Sequence, residues 1–395
     1  MPLAVVATND TRGLRLFIGA DDCWVGLRLR SGLASGESWS MQHAGSILED
    51  PIEIRIFDPA SAGADEWSAY HRLRRQRETE DQPERPPRDD AEFEREARTV
   101  FPTFDQRRYI AHWRGEPVAN LVLTWRRENT PDYADFARFL SVGGGVIEPF
   151  RRRGVATALV HPLSVEMNAR GKHTATIIGS QPDTHAFMAK LGATETIRDI
   201  ESRLSTRDCR ASELQSWRQA IPGNLQWEVH APRVPVQRLA ELIKPLSALM
   251  QDAPRGAYQG PLPRYELEAS LARYAVMDQS GGEHLLVLLT HDGEVAAMSD
   301  ASWTPAAATE IQQTFTAVHP RWRGAGLAHA VKARLVQLAI ERLPQATTMI
   351  TYNAVSNQRM LAVNRKLGYR VQRERVIYQL DRAQLGAYLQ GRPPA

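Results

Sequence analysis

Two short segments gather arginine and glycine where a strand-like run meets a helix-like one. The longer, Thr314 to Gly326, reads Thr-Phe-Thr-Ala-Val-His-Pro-Arg-Trp-Arg-Gly-Ala-Gly; the shorter, Arg151 to Ala156, reads Arg-Arg-Arg-Gly-Val-Ala. Both fit the spacing Arg-x-x-Gly-x-Gly/Ala, with Arg151, Gly154 and Ala156 in the first and Arg323, Gly326 and Ala328 in the second. In the second, Arg321, Gly324 and Gly326 satisfy the same spacing in another register. A helix N-terminus leaves backbone N–H groups unpaired and carries partial positive charge, and glycine lets an anion reach them without a Cβ in the way. With arginines alongside, such a loop offers capture of a phosphate or diphosphate. One loop alone is equally well a tight turn with solvated arginines; the second copy argues for a site.

The elements that must position these loops are readable around them. Phe315 and Ala317 alternate against Thr314, Thr316 and Val318 as in a strand, and Leu327 to Ile340 repeats apolar positions at helical spacing with no breaker. The first loop likewise follows an apolar run, Phe139 to Ile147, containing Gly143 to Gly145, and opens a helix from Ala156 to Ala169. Downstream of the second loop come Thr351-Tyr352-Asn353, then Asn357 and Met360 opening a helix that ends Leu367-Gly368-Tyr369. Downstream of the first come a strand at Thr174 to Ile178 and the ending Leu191-Gly192.

Loop, helix, strand and Leu-Gly ending, in that order and twice, resemble the GNAT superfamily of acyl-CoA N-acyltransferases. The doubling is similar to tandem two-domain members of the mycothiol synthase type. The resemblance implies an α/β (α+β) fold of two tandem domains, each a central mixed, mostly antiparallel sheet flanked by helices. It implies acetyl-CoA as acyl donor, its diphosphate held by Val318, Arg321, Arg323, Gly324, Ala325, Gly326, Leu327 and Ala328, with Asn353 and Asn357 on the pantetheine arm or capping the helix. The first half offers Ile147, Arg151, Arg152, Arg153, Gly154, Val155 and Ala156 for the same role. Backbone N–H groups of Phe315 to Val318 and of Gly144 to Ile147 are implied to bind pantetheine and the thioester carbonyl.

Transfer to an amine also needs the amine deprotonated and the thiolate protonated. Glu310, Gln312 and Thr314 share a strand face before the second loop, and Glu310 is the acid among them. The resemblance makes it the base candidate, against a reading as a solvated strand-end charge. Many family members place a Tyr acid four residues before the Leu-Gly glycine; here those positions hold Asn364 and Met188. That departure leaves Tyr352 and Tyr369 as nearby substitutes, each also readable as a packed aromatic, and Tyr369 is the candidate carried forward. His319 and His329 flank the second loop without an acidic partner at catalytic spacing and read as surface residues.

Landmarks recur at a steady offset: strand starts 226 − 52 = 174, loop glycines 326 − 154 = 172, Leu-Gly endings 367 − 191 = 176. This indicates a duplicated unit. The expected layout is an extension at 1–50 of unassigned role with a hairpin around Leu14 to Leu29 as one reading, a first domain at 51–210, a linker at 211–225 and a second domain at 226–395. With 395 residues, 43% hydrophobic and 24% charged, the chain can bury two ordinary cores. A net charge of +3 gives no argument for nucleic acid. Cys23 and Cys209 supply neither a disulfide framework nor metal spacing, so no metal is expected and a cytoplasmic setting is. No run has the length of a membrane span.

The leading expectation is an acetyl-CoA-dependent N-acetyltransferase acting on a small-molecule amine by direct attack on the thioester, with the carboxyl-terminal domain active. That half holds the asparagines, the acid and the fuller ending. The alternatives are a degenerate tandem protein serving as a CoA-binding module or scaffold, and an aminoacyl-tRNA-dependent transferase, which would need a basic face but no diphosphate loop. The oligomeric state is left open.

Overall fold

A computed structural model describes residues 38–41, 52–101, 103–130, 132–253, 256–261 and 265–391. The extension at 1–50, including the expected hairpin around Leu14 to Leu29, lies outside them except for one strand, β1, Ser38–Met41, which pairs antiparallel with β2, Ile52–Phe57. The chain divides into two units. One ends at Thr196 and takes up the chain again at Val376; the other runs Ile197–Arg375.

In the first unit β2 leads to α1, Ala64–Asp81, and α2, Asp90–Arg98, separated by the Gln82 to Pro87 break. Strands β3, Phe104–Trp113, and β4, Glu116–Arg126, turn through Arg114 and Gly115, whose φ values of 51° and 82° suit a two-residue hairpin. After a short α3, Tyr133–Phe136, come β5, Phe139–Val146, α4, Val155–Ala169, β6, Thr174–Gly179, and α5, Pro182–Lys190. Pairing is antiparallel from β1 to β5 and parallel between β5 and β6. Apolar residues of both helical layers, among them Trp67, Tyr70, Phe93, Leu159 and Leu163, share its core.

The second unit repeats the plan. It opens on β7, Thr194–Ser205, and α6, Ala211–Gln219, followed by β8, Gln226–His230, α7, Val236–Gln251, and α8, Leu267–Ser280. Next come β9, Glu283–His291, and β10, Glu294–Trp303, turning through Asp292 and Gly293 at φ 49° and 84° as in the first unit. Then follow β11, Glu310–Val318, α9, Leu327–Arg342, β12, Thr348–Ala354, α10, Gln358–Lys366, and the start of β13, Arg370–Asp381, which from Val376 onward belongs to the first unit together with α11, Arg382–Leu389. Here β8 to β11 pair antiparallel and β11 with β12 parallel. Two cores flank this sheet, one under α9 with Ile311 and Val336, the other under α7 and α8 with Leu242, Tyr274 and Phe315.

The unit boundaries differ from the expected domains at 51–210 and 226–395. Residues Asp199 to Ser205 of β7 pair with β12 of the second unit, while Val376 to Asp381 of β13 pair with β6 of the first. The first unit thus completes its sheet with chain from the far end of the sequence, and the second takes in a strand that falls within the expected first domain. The expected linker at 211–225 contains α6, which lies against α9: Arg218 donates to Gln337 Oε1 at 3.1 Å and Trp217 packs on His329 with ring centroids 5.8 Å apart. His329 is accordingly half-buried rather than a surface residue.

Candidate active site

Strands β11 and β12 pair only from Glu310↔Thr348 to Gln312↔Ile350, although both continue beyond. Past Gln312 they part, and the Gln312 side chain reaches across to donate to Ile350 O at 3.3 Å. The β10–β11 ladder slips in register at the same place, pairing Asp300 with Phe315 but Ala301 with Gln313, so Thr314 is an extra residue in β11. The bulge resets the alternation. Phe315 and Ala317 turn to the core under α7 and α8, whereas Val318 packs on the α9 side with Ile311.

The unpaired edge carries hydrogen-bonding groups toward the loop. Phe315 N–H goes to Asp300 Oδ1 at 2.7 Å and His319 N–H to Ala296 O at 2.9 Å, both on the β10 side. Because strand amides alternate in direction, those of Thr316 and Val318 face the opened side. In the first unit β5 and β6 likewise pair only from Phe139↔Thr174 to Val142↔Ile177. There Ile147 N–H is committed to Val118 O at 3.0 Å, so the outward amide is that of Val146; Ile147, a candidate from the sequence, spends its N–H on the sheet.

Both loops sit where the sequence placed them. A 3₁₀ turn at Pro320–Trp322 is followed by extended Arg323, then Gly324 at φ 86° and Gly326 at φ 75°, the residue capping α9. The first loop repeats this with a 3₁₀ turn at Glu148–Phe150, extended Arg151, Arg152 at φ 62° and Gly154 at φ 80° capping α4. Matching conformations settle the register: Arg151 corresponds to Arg323 and Gly154 to Gly326, an offset of 323 − 151 = 172. Among the described residues no group accepts from the amides of Gly324, Ala325, Gly326, Leu327 or Ala328, and a Cβ at Gly324 or Gly326 would meet nothing within 4 Å. Left-handed φ favours glycine there, and at Arg152 an arginine takes the strained conformation instead.

The arginines are less free than their sequence suggests. Arg323 returns Nε to Val318 O at 3.4 Å and pairs with Asp252. Arg151 returns Nε to Val146 O at 3.1 Å and pairs with Glu80 at 2.7 Å; Glu80 also accepts Glu148 N–H at 3.0 Å. Arg321 remains exposed, 3.9 Å from Glu294, and Arg153 lies over the rings of Trp113 and Phe150. Val155 and Ala156 are buried at the start of α4, as Leu327 is at the start of α9, while Ala328 is half-buried.

Beside the opened edge, Asn353 near the end of β12 accepts from Asn364 Nδ2 at 2.5 Å, and both residues are buried. Asn364 Oδ1 has no partner. Spacing alone gave Asn364 only as a missing tyrosine; its pairing with Asn353 needs the fold to bring α10 over β12. Asn357 accepts Met360 N–H at 3.2 Å, which makes it the cap of α10.

The two catalytic candidates are placed differently from each other. Glu310 starts β11, two residues before the strands part, with its carboxylate 3.9 Å from Arg203, which also binds Glu201 at 2.7 Å. Tyr369 is buried on the α9 side; its hydroxyl donates to Gln313 Oε1 at 2.8 Å, and burial pushes its pKa well above the usual phenol value. Lys332 is buried 5.1 Å from the same ring, with its pKa pushed down to about 7 by burial. Sequence reasoning passed over it because helical spacing marks a buried position, not a buried amine. Among the described residues no group of His, Cys, Asp and Glu could hold a metal, and no helix is long and apolar enough to cross a membrane.

Residues 247–369 match the Acetyltransferase (GNAT) family. A tandem GNAT protein from the clavulanic acid biosynthesis pathway superposes with a TM-score of 0.64 at 19% identity, covering 84% of this chain and 98% of that one. A GCN5-related N-acetyltransferase from Sphaerobacter thermophilus gives 0.58 at 16%, covering 83% and 95%. A glucosamine N-acetyltransferase region of a fungal multi-domain GH3 beta-N-acetylglucosaminidase gives 0.55 at 13%, covering 85% of this chain and 39% of that one. No curated protein matches the sequence. At these identities the likeness establishes the fold, which is that of a tandem GNAT protein.

Proposed function

From a chain whose residues 247–369 match the Acetyltransferase (GNAT) family, we propose that the second unit transfers an acetyl group from acetyl-CoA to the amine of a small molecule in a cytoplasmic setting. One observation carries this reading: β11 and β12 part after Gln312, and the opened edge runs without interruption into a loop whose amides, Gly324 to Ala328, have no partner among the described residues. An extended pantetheine arm fits the edge, taking the Thr316 and Val318 amides, and a diphosphate fits the loop.

In this reading the amine nitrogen attacks the thioester carbonyl carbon, the C–S bond breaks, and CoA leaves as the thiolate. An amide of the opened edge, aimed at the carbonyl oxygen, stabilises the charge that develops there. Glu310 is the proposed base, acting through water from the start of β11. Tyr369 holds Gln313 at the bulge, so its contribution is to position the strand. Asn353 and Asn364 line the arm, the unpaired Asn364 Oδ1 accepting from a pantetheine amide or the thiol.

The first unit keeps the parted strands and the loop, but its Glu80 carboxylate sits on the loop turn and, among the described residues, no asparagine pair stands beside it. We read it as the structural or weaker partner. Calorimetric titration of CoA into Gly326→Glu and Ala156→Glu separates the units. Loss of binding only in Gly326→Glu supports the assignment, loss only in Ala156→Glu moves the site to the first unit, and unchanged binding in both ends the transferase reading.

A further inference from the structure

Behind the bulge of β11 lies a polar cluster that the transfer chemistry above does not use. Asp300 on β10 accepts Phe315 N–H at 2.7 Å, the Tyr265 hydroxyl at 3.1 Å and faces His284 Nε2 at 3.4 Å. On its other side His284 Nδ1 meets the Tyr274 hydroxyl at 2.8 Å. A carboxylate can only accept, so the neutral imidazole carries its proton on Nε2 and takes the Tyr274 proton on Nδ1. Burial lowers the His284 pKa, keeping it neutral. The cluster is closed upon itself except at one member.

That member is Arg273 of α8, whose guanidinium lies 5.7 Å from the centre of the Tyr274 ring. Its Nε and Nη2 are buried and have no hydrogen-bond partner. Arg233 approaches the same ring at 5.4 Å yet is tied to Asp278, Pro232 O and Gly282 O. Asp300 is already occupied by its three donors. Guanidinium nitrogens buried without an acceptor are expensive, and proteins seldom keep them unless something else pairs with them.

We propose that Arg273 receives the anionic group of the acceptor, so that the substrate is an amine carrying a carboxylate or phosphate. The inference rests on the transferase reading for the word acceptor. The placement supports it: the Tyr274 ring beside Arg273 leads through His284 to Asp300, and Asp300 grips the bulge where the strands begin to part. The carboxylate or phosphate docks on the guanidinium fork, and the amine points toward the opened edge.

Two readouts test this, and they fail separately from the transferase reading. Thiol release is followed with L-lysine against cadaverine and with glucosamine 6-phosphate against glucosamine, in the wild type and Arg273→Met. The expected result is at least a tenfold higher kcat/KM for the anionic member of one pair, falling to near parity in Arg273→Met while the neutral member changes less than twofold and CoA affinity is unchanged. The pair that responds distinguishes carboxylate from phosphate. The ligand-free Arg273→Met chain should also melt higher than wild type, and the anionic compound should raise the melting temperature of the wild type only. A lower melting temperature for Arg273→Met, or equal losses on both members of each pair, overturns the proposal. Absence of thiol release from every amine counts against the transferase reading, and the melting shifts then still decide whether Arg273 binds an anion.

Discussion

Asp252, the residue following α7, holds the guanidinium of Arg323 on the loop before α9, and Glu80 near the end of α1 holds Arg151 in the same way. The acids stand at the same offset as the arginines, 252 − 80 = 172 and 323 − 151 = 172. Each arginine also returns Nε to the strand it follows. Their charge is therefore largely spent on shaping the loop. Ligand recognition falls to the backbone amides, which glycine leaves open.

Separating shape from charge gives the first prediction. Arg323→Met removes the anchor and should weaken CoA about tenfold or more. Asp252→Asn keeps an acceptor for Arg323 but deletes a negative charge near the diphosphate, so affinity should hold or rise by a few fold, more at low salt. Titration calorimetry at two ionic strengths checks both, and an Asp252→Asn loss as large as that of Arg323→Met would refute the anchoring role.

Asn364→Leu leaves Asn353 Oδ1 without its donor inside the core. Stability should fall by about 1–3 kcal/mol, the usual penalty of an orphaned buried polar group. Urea melts measure that term, and KM for acetyl-CoA should rise in parallel. An unchanged KM would remove the pair from the proposed site.

Lys332 gives a pH signature. In the folded chain its proton is lost near pH 7, while unfolded it is kept to about 10.4. Between these values the unfolded chain holds more protons, so this residue's contribution makes stability rise as pH rises across that window. Lys332→Met should therefore stabilise the protein on the order of a few kcal/mol near pH 7, with the gain shrinking toward pH 10. Thermal melts at both values test it; a gain independent of pH would mean that burial leaves the pKa of the amine where it is in the unfolded chain.

Glu310→Gln should reduce kcat by roughly 10²–10⁴-fold if its carboxylate relays the amine proton. The pH–rate profile should lose its acidic limb while CoA affinity stays unchanged. A reduction below threefold would leave Glu310 as the partner of Arg203 and nothing more.

The sequence by itself determined the order of elements, the duplication and the placement of both loops. Those features depend on local rules: glycine at left-handed φ, proline at breaks, apolar residues at the periods of strand and helix. Gly326 and Gly154 cap their helices in the left-handed conformation, and the hairpin turns at Arg114-Gly115 and Asp292-Gly293 each hold a glycine at positive φ. Tertiary structure alone decided what is non-local. The bulge at Thr314 comes from the β10 ladder, the pairing of Asp199 to Ser205 with β12 and of Val376 to Asp381 with β6 joins distant stretches, and Arg323 meets an acid 71 residues away. Buried polar groups such as Asn364, Lys332 and two of the Arg273 nitrogens are likewise invisible in a sequence, because a side chain's type does not say whether its partner folds next to it.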